Sequence, residues 1–230
     1  MATKLCINPS IDVFKIANKK ICIDVGANTG TVTKSLLSNG AIKVYCIEPG
    51  KNNCKTLRSM FTENVVIYET GVSDEKKTLK NVTWLNAWLI GNPNEIQLPV
   101  SPGACDIEGY NLVDIELDTI DSLICTEEQI EFIKIDVDGY DFKVLRGSRK
   151  LIDRCRPYIY IEISCYYDII EKGSVPLFIQ YIVDMNYTFI SLDHKICTPE
   201  YILQEFPHHS SCDIYLCPNE KVELFHFHLS

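Results

Sequence analysis

The stretch Ile21-Cys22-Ile23-Asp24-Val25-Gly26-Ala27-Asn28-Thr29-Gly30 decides the fold. A short, largely apolar run of strand length meets a turn bracketed by two glycines, and an amphipathic segment follows. Eighteen positions past Gly30, a second apolar run, Val44–Ile47, ends on Glu48-Pro49. A strand, a glycine-lined turn and an acid closing the neighbouring strand together hold the ribose of an adenosine ligand in doubly wound α/β proteins. The glycines are spaced G-x-x-x-G, not the G-x-G-x-x-G that brings a backbone against a pyrophosphate. This turn suits a nucleoside ligand with no phosphate at that point, and S-adenosylmethionine is the common one.

Outward from this corner, apolar strands alternate with amphipathic helices, the pattern of a mostly parallel sheet covered on both faces. Strands are expected at about 20–25, 43–48, 65–68, 132–137, 158–164, 187–192 and 213–217. The helix after the first strand should run from about 29 to 38 and stop at Asn39-Gly40. Pro49 suits the first turn of the next helix. Thr70–Asp74 reads as a loop. Residues 80–118 break the rhythm and read as a β-rich hairpin or lid inserted beside the sheet. Asp118 and Asp121 can cap a short helix ending near Ile124. Phe142, Leu145 and Ile152 fit one face of a single helix. The last two strands read as joined by a loop and not a crossover helix, which allows a hairpin at the edge with the final strand antiparallel. The expected architecture is one domain over 1–230: a doubly wound, seven-stranded, mostly parallel sheet of the Rossmann-like methyltransferase kind. Residues 166–230 would supply acceptor-side elements, and no structure is assigned to Lys221–Ser230.

Composition narrows the function. With 46% apolar residues, the 230-residue chain can bury a substantial core. A net charge of −9 argues against gripping a nucleic-acid backbone. The eleven cysteines form no C-x-x-C pair and lie mostly in apolar runs, as Cys22, Cys46 and Cys165 do. Free packing cysteines and no signal peptide indicate a reducing, cytoplasmic setting. No apolar stretch reaches the roughly 20 residues of a membrane span.

Five segments in order carry a resemblance: I-D-V-G-A-N-T-G, I-E-P, L-D-T-I-D at 117–121, F-I-K-I-D-V-D-G-Y-D with V-L-R-G at 144–147, and I-E-I. Over roughly residues 20–165 the chain resembles the FkbM family of S-adenosylmethionine-dependent methyltransferases. That family usually shows Glu where this chain has Asp138. The resemblance implies O-methylation of a hydroxyl on a sugar, glycan or other small-molecule acceptor.

Gly26, Ala27, Asn28, Thr29 and Gly30 are expected along the methionine end of the cofactor. Gly26 would permit close ligand approach and Gly30 close helix–strand packing. Asp24 either orients the turn or reaches the ligand's ammonium through water. Glu48, with Pro49 fixing the helix start beside it, would accept the ribose hydroxyls. Gly71, Val72 and Ser73 should lie beside the adenine. Asp136, Asp138 and Glu162 gather at the carboxyl ends of two strands, where such folds bind ligands. Carboxylates that close need a cation, a proton or a donor between them. Three arrangements satisfy this: a bridging Mg²⁺ or Mn²⁺ on Asp136, Asp138 and Glu162; a general base among the three; or neutralisation by Lys134 or Arg146. Lys134, on the same strand face as Asp136, reads as a charge partner. The rival functions are a catalytically silent cofactor-binding subunit, a nucleic-acid methyltransferase and a nicotinamide oxidoreductase. The acidic charge and D-V-D-G stretch disfavour the second, and the glycine spacing the third.

Overall fold

The structure is a computed structural model that describes residues 14–85, 88–89, 111–137, 139–164, 173–205 and 211–229. It begins with a 3-10 turn at Lys15–Ala17, then β1 (Ile21–Val25), α1 (Thr31–Ser38), β2 (Lys43–Ile47), α2 (Lys51–Met60) and β3 (Val65–Tyr68). Next come β4 (Gly71–Val72), β5 (Lys77–Leu85), β6 (Trp88–Leu89), β7 (Asn111–Asp118), α3 (Ile120–Leu123) and β8 (Ile130–Ile135). The chain continues through α4 (Asp141–Arg146), α5 (Arg149–Cys155), β9 (Tyr158–Ser164), α6 (Ser174–Asp184), β10 (Tyr187–Ile190), β11 (Ile196–Cys197), α7 (Pro199–Glu205), β12 (Ser211–Pro218) and α8 (Val222–Leu229).

The main sheet is ordered β11-β10-β12-β9-β8-β1-β2-β3. From β9 to β3 every pairing is parallel, and β12 runs antiparallel to both its neighbours. The final strand is antiparallel as expected and sits between β9 and β10, although the connection expected to be a plain loop carries β11 and α7. The sheet also holds eight strands where seven were expected. The extra one, β11, is a two-residue return from β10, too short to leave a period in the sequence.

Strand alternation sorts the core into two layers. Ile23, Ile133, Ile159 and Ile214 face one side and pack with Phe142, Ile152, Phe178 and Ile182 of α4, α5 and α6. Cys22, Val44, Phe132 and Tyr215 face the other, with Leu36, Leu57 and Phe225 of α1, α2 and α8. The tail from Lys221 thus ends in a helix whose Phe225 is fully buried, with its ring 5.1 Å from that of Tyr215. α1 stops where expected: Gly40 takes φ +90°, and the Gly40 and Ala41 N–H groups return to the Leu37 and Leu36 carbonyls.

Other expectations need correction. Gly71–Val72 is a strand paired with β7, not a loop. It belongs to a separate four-stranded sheet, β4-β7-β5-β6, whose β5 begins at Lys77, ahead of the expected insertion boundary. The middle of that insertion, 90–110, lies outside the described residues. Pro49 precedes α2, which starts at Lys51 behind Gly50 as N-cap. The single helix expected over Phe142–Ile152 is two, broken at Gly147-Ser148. A Cβ on Gly147 would sit 2.0 Å from the Ser73 carbonyl oxygen, so the junction packs directly on the segment after β4. Thr119, not Asp118, caps α3. Asp121 caps α5 from outside it, accepting the Lys150 and Leu151 N–H groups at 3.0 and 2.9 Å.

Candidate active site

The first corner is held together by an ammonium. Lys134, on β8, lies level with Asp24 of β1 in the parallel register and is almost wholly enclosed. Its Nζ donates to the Val25 and Gly26 carbonyls at 3.0 and 2.9 Å. It also stands 3.5 Å from Asp24 Oδ1 and 3.4 Å from Asp136 Oδ2. Burial pulls the lysine's pKa down, but Asp24 and Asp136 outweigh it and hold the ammonium above its ordinary value. Lys134 is thus the charge partner the sequence suggested. Arg146, the other candidate, pairs with Asp74 at 2.7 Å.

Asp24 has no exposed surface, and its Oδ2 accepts from the Thr33 hydroxyl at 2.6 Å. Its Oδ1 accepts no hydrogen bond and meets only the lysine charge. Gly26, at φ +75°, has its own reason to be glycine: a Cβ there would fall 2.1 Å from the Asp136 carbonyl oxygen. The close approach is to the protein's own backbone. Gly30, at φ +89°, faces Phe61 and Leu57, so its missing side chain admits the α2 region and not a strand. Ala27 is buried, while Asn28 and Thr29 are exposed at the mouth of the turn.

Glu48 ends β2 as a buried carboxylate. Its Oε2 accepts the Asn28 N–H at 2.9 Å; its Oε1 accepts the Gly50 N–H at 2.8 Å and the Asn53 amide at 3.1 Å. A carboxylate offers about four acceptor positions. One on Oε2 therefore remains, and a second is held only by a side chain, Asn53, which a ligand can displace. Pro49 sits half-buried beside it. Gly71, Val72 and Ser73 are buried, and the Ser73 N–H donates to the Asp118 carbonyl at 2.8 Å.

The acid cluster forms where β8 and β9 end. The last recorded pair of these strands is Ile135 with Ile161, so the next residues, Asp136 and Glu162, come level on one face. Glu162 in turn pairs with Asp213 of β12. The Asp136 side chain is 48% exposed, so the group is open to solvent even while Lys134 touches it. Asp138 lies outside the described residues. Two members escaped the sequence reading. Burial, opposed by a hydrogen bond from Tyr160, raises the Asp213 carboxyl above its usual range. Burial and Asp213 together push the Tyr160 phenol far upward. Alternation in Cys212-Asp213-Ile214-Tyr215 was the available signal, since buried Ile214 sends Asp213 and Tyr215 to the other face. Asp141, fully buried, accepts the Val137 and Gly139 N–H groups at 3.0 Å each. Burial and the nearby charge of Asp136 push its pKa up to about 8.

Among the described residues no group of three or more His, Cys, Asp and Glu is arranged to hold a metal ion. The cofactor expectation fits the residues present: remaining acceptor capacity on the buried Glu48 carboxylate, beside a turn whose Asn28 and Thr29 are exposed. None of the helices described is long and apolar enough to cross a membrane.

The sheet order and this corner define the class of Rossmann-like methyltransferase folds. The sequence profile of the Methyltransferase FkbM domain matches residues 24–195, and the chain belongs to that family, whose usual cofactor is S-adenosylmethionine. The crystal structure of Methyltransferase FkbM from Methylobacillus flagellatus KT is similar at 18% identity with a TM-score of 0.52, covering 87% of this chain. This chain spans 44% of the length of that structure. An rRNA methylase from Streptococcus thermophilus is similar at 13% identity and TM-score 0.46, over 90% of this chain and 93% of that one. A search of curated proteins returns no match.

Proposed function

We propose that the protein is an S-adenosylmethionine-dependent O-methyltransferase acting on a hydroxyl of a sugar, glycan or other small molecule, with Asp136 as its general base. The observation that carries this reading is a half-exposed carboxylate, Asp136, fixed beside the glycine turn by a buried lysine. When bound, the cofactor supplies an electrophilic methyl group on a sulfonium. Glu48 would hold the ribose through its remaining acceptor position and the one Asn53 yields. Asp24, closed off from solvent, would orient the turn through Thr33 and Lys134, and Gly71–Ser73 would border the adenine.

An aliphatic hydroxyl is a weak nucleophile at neutral pH and gains from a base within hydrogen-bond reach. Asp136 would accept that proton, while Glu162 and the protein walls align the acceptor. A divalent cation at Asp136 would have to approach an ammonium already 3.4 Å from the same carboxylate. Like charges repel at that range, which supports the base-only reading over Mg²⁺ or Mn²⁺. Asp138 belongs to the same proposed cluster through its place in the sequence.

Calorimetry with S-adenosylhomocysteine tests the cofactor assignment: Glu48→Ala should weaken binding at least tenfold, and unchanged affinity would reject it. Labelled methyl transfer to a panel of hydroxylated acceptors tests the chemistry. Asp136→Asn should keep the cofactor and lose turnover; undiminished turnover would remove Asp136 as base.

A further inference from the structure

Two carboxylates among the described residues have no exposed surface, Asp24 and Asp141. Asp24 is matched by Lys134. Asp141 is spent on backbone: its Oδ1 takes the Val137 N–H and its Oδ2 the Gly139 N–H, each at 3.0 Å. It is the first residue of α4, a position that asks for no particular side chain when the N–H groups there point to solvent. Here the carboxylate turns away from its own helix and holds the Val137 and Gly139 amides. Burying such a group is expensive, and burial raises its pKa to about 8 against the pull of the Val137 N–H. A residue kept under that penalty is kept for what it grips.

The Val137 amide follows directly on Asp136. That residue is already tied by its own N–H to the Val25 carbonyl at 3.3 Å, and its carbonyl lies against Gly26. Its carboxylate meets Lys134. The remaining freedom is the direction in which the chain leaves Asp136, and the Val137 amide sets it. We infer that Asp141 is a positioning residue, which by holding the Val137 and Gly139 amides fixes how the chain leaves Asp136 and so the aim of the Asp136 carboxylate. This rests on the reading of Asp136 as base.

The test uses Asp141→Asn, which puts an amide NH₂ against one of the two N–H donors, and Gly139→Ala. Gly139 has φ +96°, so alanine there strains the backbone at one of the two held amides while leaving the carboxylate in place. Hydrogen exchange, S-adenosylhomocysteine affinity and turnover are measured on each. The expected result is exchange at Val137 and Gly139 at least tenfold faster, with Phe132–Ile135 still protected. Affinity should stay within twofold, and kcat should fall on the order of 10- to 100-fold, as a misaimed reacting group does. Faster exchange at those amides with kcat within twofold of wild type overturns the proposal. So does a loss of affinity as large as the loss of kcat, which would mean general damage to the site. If Asp141→Asn does not fold, Gly139→Ala answers the same question by the same criteria. Failure of the base assignment has its own sign, undiminished turnover in Asp136→Asn, and leaves the exchange result standing.

Discussion

Replacing Lys134 by Met removes the charge at the centre of the first corner while keeping much of the side-chain volume. Two kinds of loss follow. Asp24, fully buried, is left with the Thr33 hydroxyl as its remaining partner, and breaking a buried ion pair from one side costs about 3–5 kcal/mol. The Gly26 carbonyl loses the lysine donor and the Val25 carbonyl keeps only the Asp136 N–H, which adds about 1 kcal/mol. A total of about 4–6 kcal/mol corresponds to a Tm lower by about 8–24 °C in a domain of this size. Thermal unfolding followed by circular dichroism reads it directly. Adding Asp24→Asn removes the stranded charge, so the double variant should recover about half of the loss. The pH dependence has a definite sign. A lysine held above its ordinary value contributes stability that is fully present below about pH 10.4. That stability is lost only as pH climbs through the higher folded value. The lysine's own share of the gap between wild type and Lys134→Met should therefore stay constant from about pH 6 to 9, while the stranded Asp24 carboxylate should widen the gap as pH rises. A Tm within about 2 °C of wild type, or strict additivity with Asp24→Asn, would refute the reasoning.

Gly26→Ala should destabilise more than Gly30→Ala. Both lie at positive φ, which costs alanine about 1–2 kcal/mol, but Gly26 meets a backbone oxygen and Gly30 the movable ends of Phe61 and Leu57; equal melting temperatures would contradict this. The Arg156 guanidinium beside Glu220 holds that carboxyl down at about 2. Its contribution is present above the ordinary Glu value of about 4.3 and disappears as pH falls toward 2, so the Tm difference between wild type and Glu220→Gln should close over that window. Turnover should survive EDTA in full, since Lys134 supplies the positive charge at Asp136; silencing by EDTA and recovery with Mg²⁺ would restore the metal reading.

Much of the fold was legible because buried parallel strands announce themselves as apolar runs. Tyr158–Ser164 is a strand with the bounds the sequence suggested. What stayed hidden depended on partners far along the chain. Gly26 reads as a ligand-facing glycine until the Asp136 carbonyl is seen against it. Asp121 sits at the right offset to serve its own short helix, yet its carboxylate serves α5, because tertiary packing brings that helix start within reach. Asp141 closes the F-I-K-I-D-V-D-G-Y-D stretch, but its role left no signal, since its partners are backbone amides that carry no residue identity. Lys134 was readable by alternation alone: a cation on the same face as Asp136, in a sheet buried on both sides, needs an acid nearby. The eight-residue α8 is too short for its period to stand out from a mixed tail.

The placement of β12 bears on how the chain reaches this form. Residues 187–190 are synthesised before 211–218, yet they can join the sheet only through them, because β12 separates β10 from β9. Until that late segment docks, the rim of β9 presents a row of unsatisfied amides and carbonyls, the surface on which neighbouring polypeptides add strands to one another. A nascent or truncated chain lacking residues 211–218 would keep this rim open, and its fate would be clumping and not a smaller working enzyme.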